Sequence, residues 1–163
     1  MRFLKLSLIS IVIFLLLFVA FSLLLPSHVR ISRAVNINAP ISEIQPHVAS
    51  LDKWGSWNTL LSDTSIRIIS IGSRQIKADK LDIQLKASKA DSVFTTWSQP
   101  NGKSFDSNFS FASSAGVTVV QWYFDFHFKW PWEKFGSLVY DNRMGPDMEK
   151  SLTRLKGLVE TSP

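Results

Sequence analysis

From Leu6 to Leu25 the chain runs LSLISIVIFLLLFVAFSLLL, twenty residues without a charge, interrupted only by Ser7, Ser10 and Ser22. As a helix rising about 1.5 Å per residue it covers roughly 30 Å, the thickness of a bilayer's hydrocarbon core. The serine hydroxyls can bond back to the preceding turn and do not disqualify a span. The chain therefore divides into a tail at 1–5, a transmembrane helix at 6–25, a linker at 26–28 and a domain at 29–163. Ala20-Phe21-Ser22 has the small-x-small form of a signal-peptide cleavage site. The apolar run is longer than a signal core and continues through Leu23, Leu24 and Leu25, so an uncleaved anchor is expected. Arg2 and Lys5 flank it on one side, Arg30 and Arg33 on the other. With the terminal amine counted, the bias puts the N-terminus in the cytoplasm and the domain outside it, periplasmic where there are two membranes; the alternative is a domain on the cytoplasmic side.

Beyond the run, the residues have the composition of an ordinary soluble domain, enough for one core. The chain has no cysteine, which excludes disulfides, a thiolate nucleophile and cysteine-rich metal sites. Its formal net charge of +5 is mild and scattered, without the clustered Lys and Arg that nucleic acid requires, so no nucleic-acid partner is expected.

The linker is short, and the domain must sit against the membrane surface. Val29, Ile31, Val35 and Ile37 alternate with Arg30, Ser32, Asn36 and Asn38 in a half-buried strand running to Ala39, with Arg33 the exception. Pro40 suits a first helical turn, and Pro46 weakens the helix that follows; Leu51 to Trp57 predicts a second short helix. From Ile66 to Phe128 the period is two. Leu81, Ile83, Leu85 and Ala87 share one face, Asn101-Gly102 marks a hairpin, and Ser113 to Gly116 marks another turn. Val120, Trp122, Phe124, Phe126 and Phe128 then share a face opposite Gln121, Tyr123, Asp125 and His127. This is an antiparallel meander with one buried face. Gly145-Pro146-Asp147 opens a terminal helix of about four turns whose stripe is Met148, Leu152, Leu155 and Val159. The expected class is α+β, with a curved antiparallel sheet of about six or seven strands wrapped on a long C-terminal helix.

That order is the order of the helix-grip fold. INAPISEIQPHVASLDKWGSW resembles the opening of the SRPBCC or polyketide cyclase/dehydrase superfamily, related to START lipid-transfer domains and the birch pollen allergen: a strand ending in Ala-Pro, a helix, then a Trp-x-x-Trp pair, here Trp54 and Trp57. MGPDMEKSLTRLKGLVE is similar to its last helix, with Leu155-Lys156 at the ending. The resemblance covers roughly residues 29–160 and implies a cavity between sheet and helix. It implies no catalytic signature. The stretch ISIGSRQIKADKLDIQ departs from the glycine-rich hairpin of many anchored members, Gly72 being its only glycine.

His28, His47 and His127 show no metal-ligand spacing, and neither a nucleophile elbow nor a phosphate loop is present. No catalytic residue, metal site or cofactor is expected. Asp125 with His127 reads as a solvated pair on the outer face, and Glu43 and Asp52 as helix-end charges. Thirteen of the sixteen aromatics after residue 25 lie between Trp97 and Tyr140. They either pack a core or line a cavity for an apolar ligand. On the second reading the ligand-binding residues are Trp97, Phe105, Phe109, Phe111, Trp122, Phe124, Phe126, Met148 and Leu152. Lys129, Trp130, Trp132 and Lys134 form a mix suited to bilayer headgroups, or else a loop pinned to the sheet edge. The expected function is binding of a lipid or other hydrophobic small molecule at the membrane surface, with the bilayer as partner. A cyclase- or dehydratase-like enzyme using the same cavity and a ligand-free interaction module are the alternatives.

Overall fold

The structure is a computed structural model that describes residues 2–62, 66–137 and 139–161. Residues 1, 63–65, 138, 162 and 163, which belong to the expected tail and domain, lie outside the described residues. An apolar helix α1 (Arg2–Leu24) leads into strand β1 (His28–Ile37), helix α2 (Ile41–Ala49) and two 3-10 helices, Leu51–Ser56 and Thr59–Ser62. Strands β2 (Ile68–Ile71), β3 (Gln75–Ala78), β4 (Asp82–Lys89), β5 (Ser92–Ser98), β6 (Ser104–Ser114) and β7 (Val117–His127) follow, then α3 (Pro131–Ser137) and α4 (Tyr140–Glu160).

The seven strands form one antiparallel sheet in the order β1-β7-β6-β5-β4-β3-β2. The expected meander, the α+β class and the terminal helix gripped by the sheet are all present. The β6–β7 turn is two residues long, with Ala115 and Gly116 both at positive φ (50° and 83°), the geometry whose twist matches the flanking strands. The β5–β6 connection spans Gln99 to Lys103 with Gly102 at φ 81°.

Register places the buried face directly. Phe109 opposes Trp122, Phe111 opposes Val120 and Ser107 opposes Phe124, all buried. On β1, Ile31 opposes Phe124 and Arg33 opposes Trp122, so Arg33 does face inward, as the broken alternation implied. The stripe Met148, Leu152, Leu155 and Val159 of α4 is buried against this face.

One boundary differs from expectation. Gly145-Pro146 does not open the last helix; α4 begins at Tyr140 and carries Pro146 in its interior. The extra first turn is held by packing, because the Tyr140 ring stacks on Phe126 (5.1 Å) and Phe128 (5.7 Å). The two short helices expected are present: α2 runs through Pro46 to Ala49, with Ile44 and Val48 buried in the core outweighing the missing hydrogen bond, and the 3-10 helix Leu51–Ser56 follows.

Candidate functional site

The interior of the grip is filled chiefly by indoles. Trp54 and Trp57, on and just after the first 3-10 helix, insert into the sheet's aromatic face. Trp54 contacts Trp97 and Phe109 (centroids 6.1 and 5.8 Å), and Trp57 contacts Phe109 and Trp122 (5.9 and 6.1 Å). Each buried indole N–H has an acceptor: Trp54 donates to Val48 O (2.9 Å), Trp57 to His47 O (3.1 Å), Trp97 to Thr95 Oγ1 (3.2 Å) and Trp122 to Ser107 Oγ (2.7 Å). Satisfied donors fix the ring orientations, so these four side chains form a rigid packed block.

A cleft of about 520 Å³ remains beside that block, between α4, the second 3-10 helix and one end of the sheet. Its apolar wall is Leu60, Ile66, Leu81, Trp97, Phe105 and Met144; its polar groups are Thr59, Ser62, Lys80, Gln99 and Asp147. Of the nine residues expected to bind a ligand, Trp97 and Phe105 line this cleft. Phe109, Phe111, Trp122, Phe124, Phe126, Met148 and Leu152 lie in the packed interior. There the aromatic face is packed, and the open space lies at its end. Thr59, Leu60, Ser62, Ile66, Lys80 and Gln99, missed from sequence, sit in a 3-10 helix and in connecting segments, where no periodicity marks them, whereas Met144 and Asp147 lie in the early turns of α4.

Thr59 is held firmly. Its N–H donates to Ser151 Oγ (2.9 Å), and its hydroxyl lies 2.8 Å from both Ser151 Oγ and Asp147 O, tying the cleft wall to α4.

The cleft end of the sheet is also the α1 end. Leu81, Gln99 and Phe105 flank the start of β4, the end of β5 and the start of β6, while His28 pairs with His127 at the start of β1 and end of β7. Helix α3 packs on α1 here: the Phe135 ring stacks on Phe18 at 4.5 Å, and Lys134 Nζ donates to Ser22 O (3.4 Å). Trp130 and Trp132 stack on each other at 5.2 Å and stay 56% and 61% exposed, and Lys129 is exposed beside them.

On the outer face at the same end, Asp125 accepts two bonds from Arg30 (2.7 and 2.9 Å) and lies 3.1 Å from His28 Nε2. The Arg30 guanidinium, and secondarily His28, hold the Asp125 carboxyl below its usual range. His127 stacks on His28 at 4.7 Å, so the carboxylate partner of the region is His28 and Arg30 across the strand, not His127 along it.

Comparison with known proteins agrees with this architecture. Residues 28–160 match the family model described as polyketide cyclase / dehydrase and lipid transport. No curated protein matches the chain. Among solved structures, the Staphylococcus aureus protein SA2116 is similar at 12% identity and TM-score 0.61, over 82% of this chain and 94% of that one. A START superfamily protein from Mycobacterium smegmatis is similar at 17% identity and TM-score 0.55, over 80% and 97%. DynU16, from the dynemicin biosynthetic locus, is similar at 18% identity and TM-score 0.56 over 81% of this chain, which spans 47% of its length. These likenesses establish the fold, and the match over residues 28–160 places the chain in the polyketide cyclase / dehydrase and lipid transport family.

Proposed function

We propose that the chain is a membrane-anchored binding domain that holds a lipid tail or another apolar small molecule in the cleft beside Trp97 and Phe105. The observation that carries this reading is the cleft itself: several hundred Å³ with a largely apolar wall and a few polar groups, within the range that suits small ligands. Burying apolar surface at about 25 cal/mol per Å² supplies affinity without covalent chemistry. The lipid-transport element of the family description supports the same reading.

Phe3–Leu24 is long and apolar enough to cross a bilayer. The contacts of Phe18 and Ser22 with α3 favour a helix that stays with the domain over a cleaved signal, since cleavage near Ser22 would strip Phe135 and Lys134 of these partners. The terminal amine, Arg2 and Lys5 at the N-terminal end of α1, against Arg30 and Arg33 beyond it, tip the charge bias toward an extracytoplasmic domain.

The test is native mass spectrometry of the full chain released from membranes in detergent, with titration of an apolar fluorescent probe. Co-purifying lipid or saturable probe binding is expected. A chain that carries no lipid and binds no probe sinks the reading.

A further inference from the structure

Helix α3 lies beside α1 at a definite depth. Phe18 precedes Leu24 by six residues, roughly 9 Å along a helix axis, and Ser22 precedes it by two, about 3 Å. If Leu24 marks the end of the hydrocarbon span, Phe135, stacked on Phe18, sits below the headgroups among the upper acyl carbons, and Lys134 reaches the α1 backbone near the boundary. The buried Ser22 (2% exposed) belongs to the same contact region, in a helix otherwise almost wholly uncovered.

The surface that this arrangement presents outward suits a lipid boundary. The Trp130 and Trp132 rings form an exposed parallel stack, and Val139 is exposed beyond α3. Indoles favour the headgroup level, where one end is apolar and the other wet. The carboxylate in the segment is neutralised: Glu133 accepts from Lys103 Nζ (2.6 Å) and from the backbone N–H groups of Lys129 (3.1 Å) and Trp130 (3.3 Å). An unpaired carboxylate would be expensive at that depth; a paired one is tolerated. The same ion pair ties α3 to the Gln99–Lys103 loop, whose flanks Gln99 and Phe105 line the cleft.

We propose that α3 and the Trp130–Trp132 stack are embedded in the leaflet around the C-terminal end of α1, turning the cleft-bearing end of the sheet toward the bilayer. This rests on α1 being a retained span, and it adds that the domain itself enters the lipid. The remaining tryptophans, Trp54, Trp57, Trp97 and Trp122, are buried inside the domain, and of these Trp97 alone lines the cleft, so the pair is read as the difference between the native chain and a variant that lacks it.

The experiment reconstitutes the full chain in phosphatidylcholine–phosphatidylglycerol vesicles carrying bromine either high or low on the acyl chains. Tryptophan emission is then recorded, alongside flotation of the vesicles in alkaline carbonate. Embedding predicts that the chain floats, that high-placed bromine quenches roughly a third of the emission through this pair, two indoles of the six in the chain, and quenches the pair more than low-placed bromine. It also predicts that Trp130→Phe with Trp132→Phe removes the pair's share of the quenching, leaving at most what a lipid in the cleft delivers to Trp97. A chain that floats but is not quenched overturns the embedding and leaves the anchor standing. Quenching that is undiminished in the double variant also overturns it. A chain that does not float overturns both.

Discussion

Arg33 reaches α4 directly over Gly145, where a Cβ would lie 2.1 Å from Arg33 Nη2. Arg33 faces the interior opposite Trp122, and its guanidinium leaves that interior across Gly145. Nε donates to Glu149 (2.8 Å), Nη2 pairs with Asp141 (2.9 Å) and Nη1 donates to Ser32 O (2.9 Å). The atoms in the way are the far end of a flexible side chain, so Gly145→Ala shifts the guanidinium and weakens its contacts with largely exposed carboxylates. The loss, up to about 1 kcal/mol, offsets the helix propensity gained and leaves stability near wild type. In an Arg33→Ala background the obstacle is gone, and the same substitution stabilises by roughly 0.5–1 kcal/mol, the propensity difference alone. Thermal unfolding of the four chains in detergent reads the difference between the backgrounds; an equal effect in both would refute the packing argument.

Ser107→Ala tests whether the indole block is as well satisfied as it looks. Ser107 Oγ accepts from Trp122 Nε1 at 2.7 Å, and both residues are wholly buried. Removing one oxygen leaves an indole N–H without a partner and destabilises by roughly 1–3 kcal/mol, far more than the volume change warrants. Chemical denaturation of the variant measures it, and a loss below a few tenths of a kcal/mol would mean that another acceptor replaces Ser107.

Much of the fold was legible because it is written in local periodicity. The alternation through Val120, Trp122, Phe124, Phe126 and Phe128 named the buried face of β7, and the spacing of Met148, Leu152, Leu155 and Val159 named the helix face that meets it. The start of α4 was not legible, since Gly145-Pro146 is a locally sound helix opening and only the distant rings of Phe126 and Phe128 hold Tyr140 in an earlier turn. The cleft was half legible for the same reason. Inward aromatics could be named, but which of them face empty space depends on Trp54 and Trp57 entering from a separate segment. Periodicity carries no record of that insertion.

A ligand in the cleft is blocked by filling it. Met144 is a half-buried lining residue on α4, and Met144→Trp projects a larger side chain into the space. Probe affinity is expected to fall at least about tenfold, about 1.4 kcal/mol. Phe111→Leu, in the packed interior outside the cleft lining, costs about 1–2 kcal/mol of stability and leaves probe affinity unchanged. Probe titration combined with thermal unfolding separates the two; the reverse pattern would move the binding site into the aromatic core.

Acid should remove what the Arg30–Asp125 pair contributes. The hydrogen-bonded Arg30 guanidinium holds the Asp125 carboxyl below its ordinary value of about 3.9, with His28 adding to the effect. A carboxyl whose pKa is lower in the folded chain contributes stability that is complete above the unfolded value. That contribution is lost as pH falls through the folded value. Because Arg30 is half exposed, its size is at most about 1 kcal/mol. Arg30→Gln should therefore raise the Asp125 titration toward 3.9, read by carboxyl-carbon NMR. It should also make the chain less stable than wild type at neutral pH, with the difference closing below the wild-type folded pKa. A difference that stays constant across the acid range would assign the loss to packing of Arg30 over the Tyr123 ring, 4.3 Å away, and not to the charge pair.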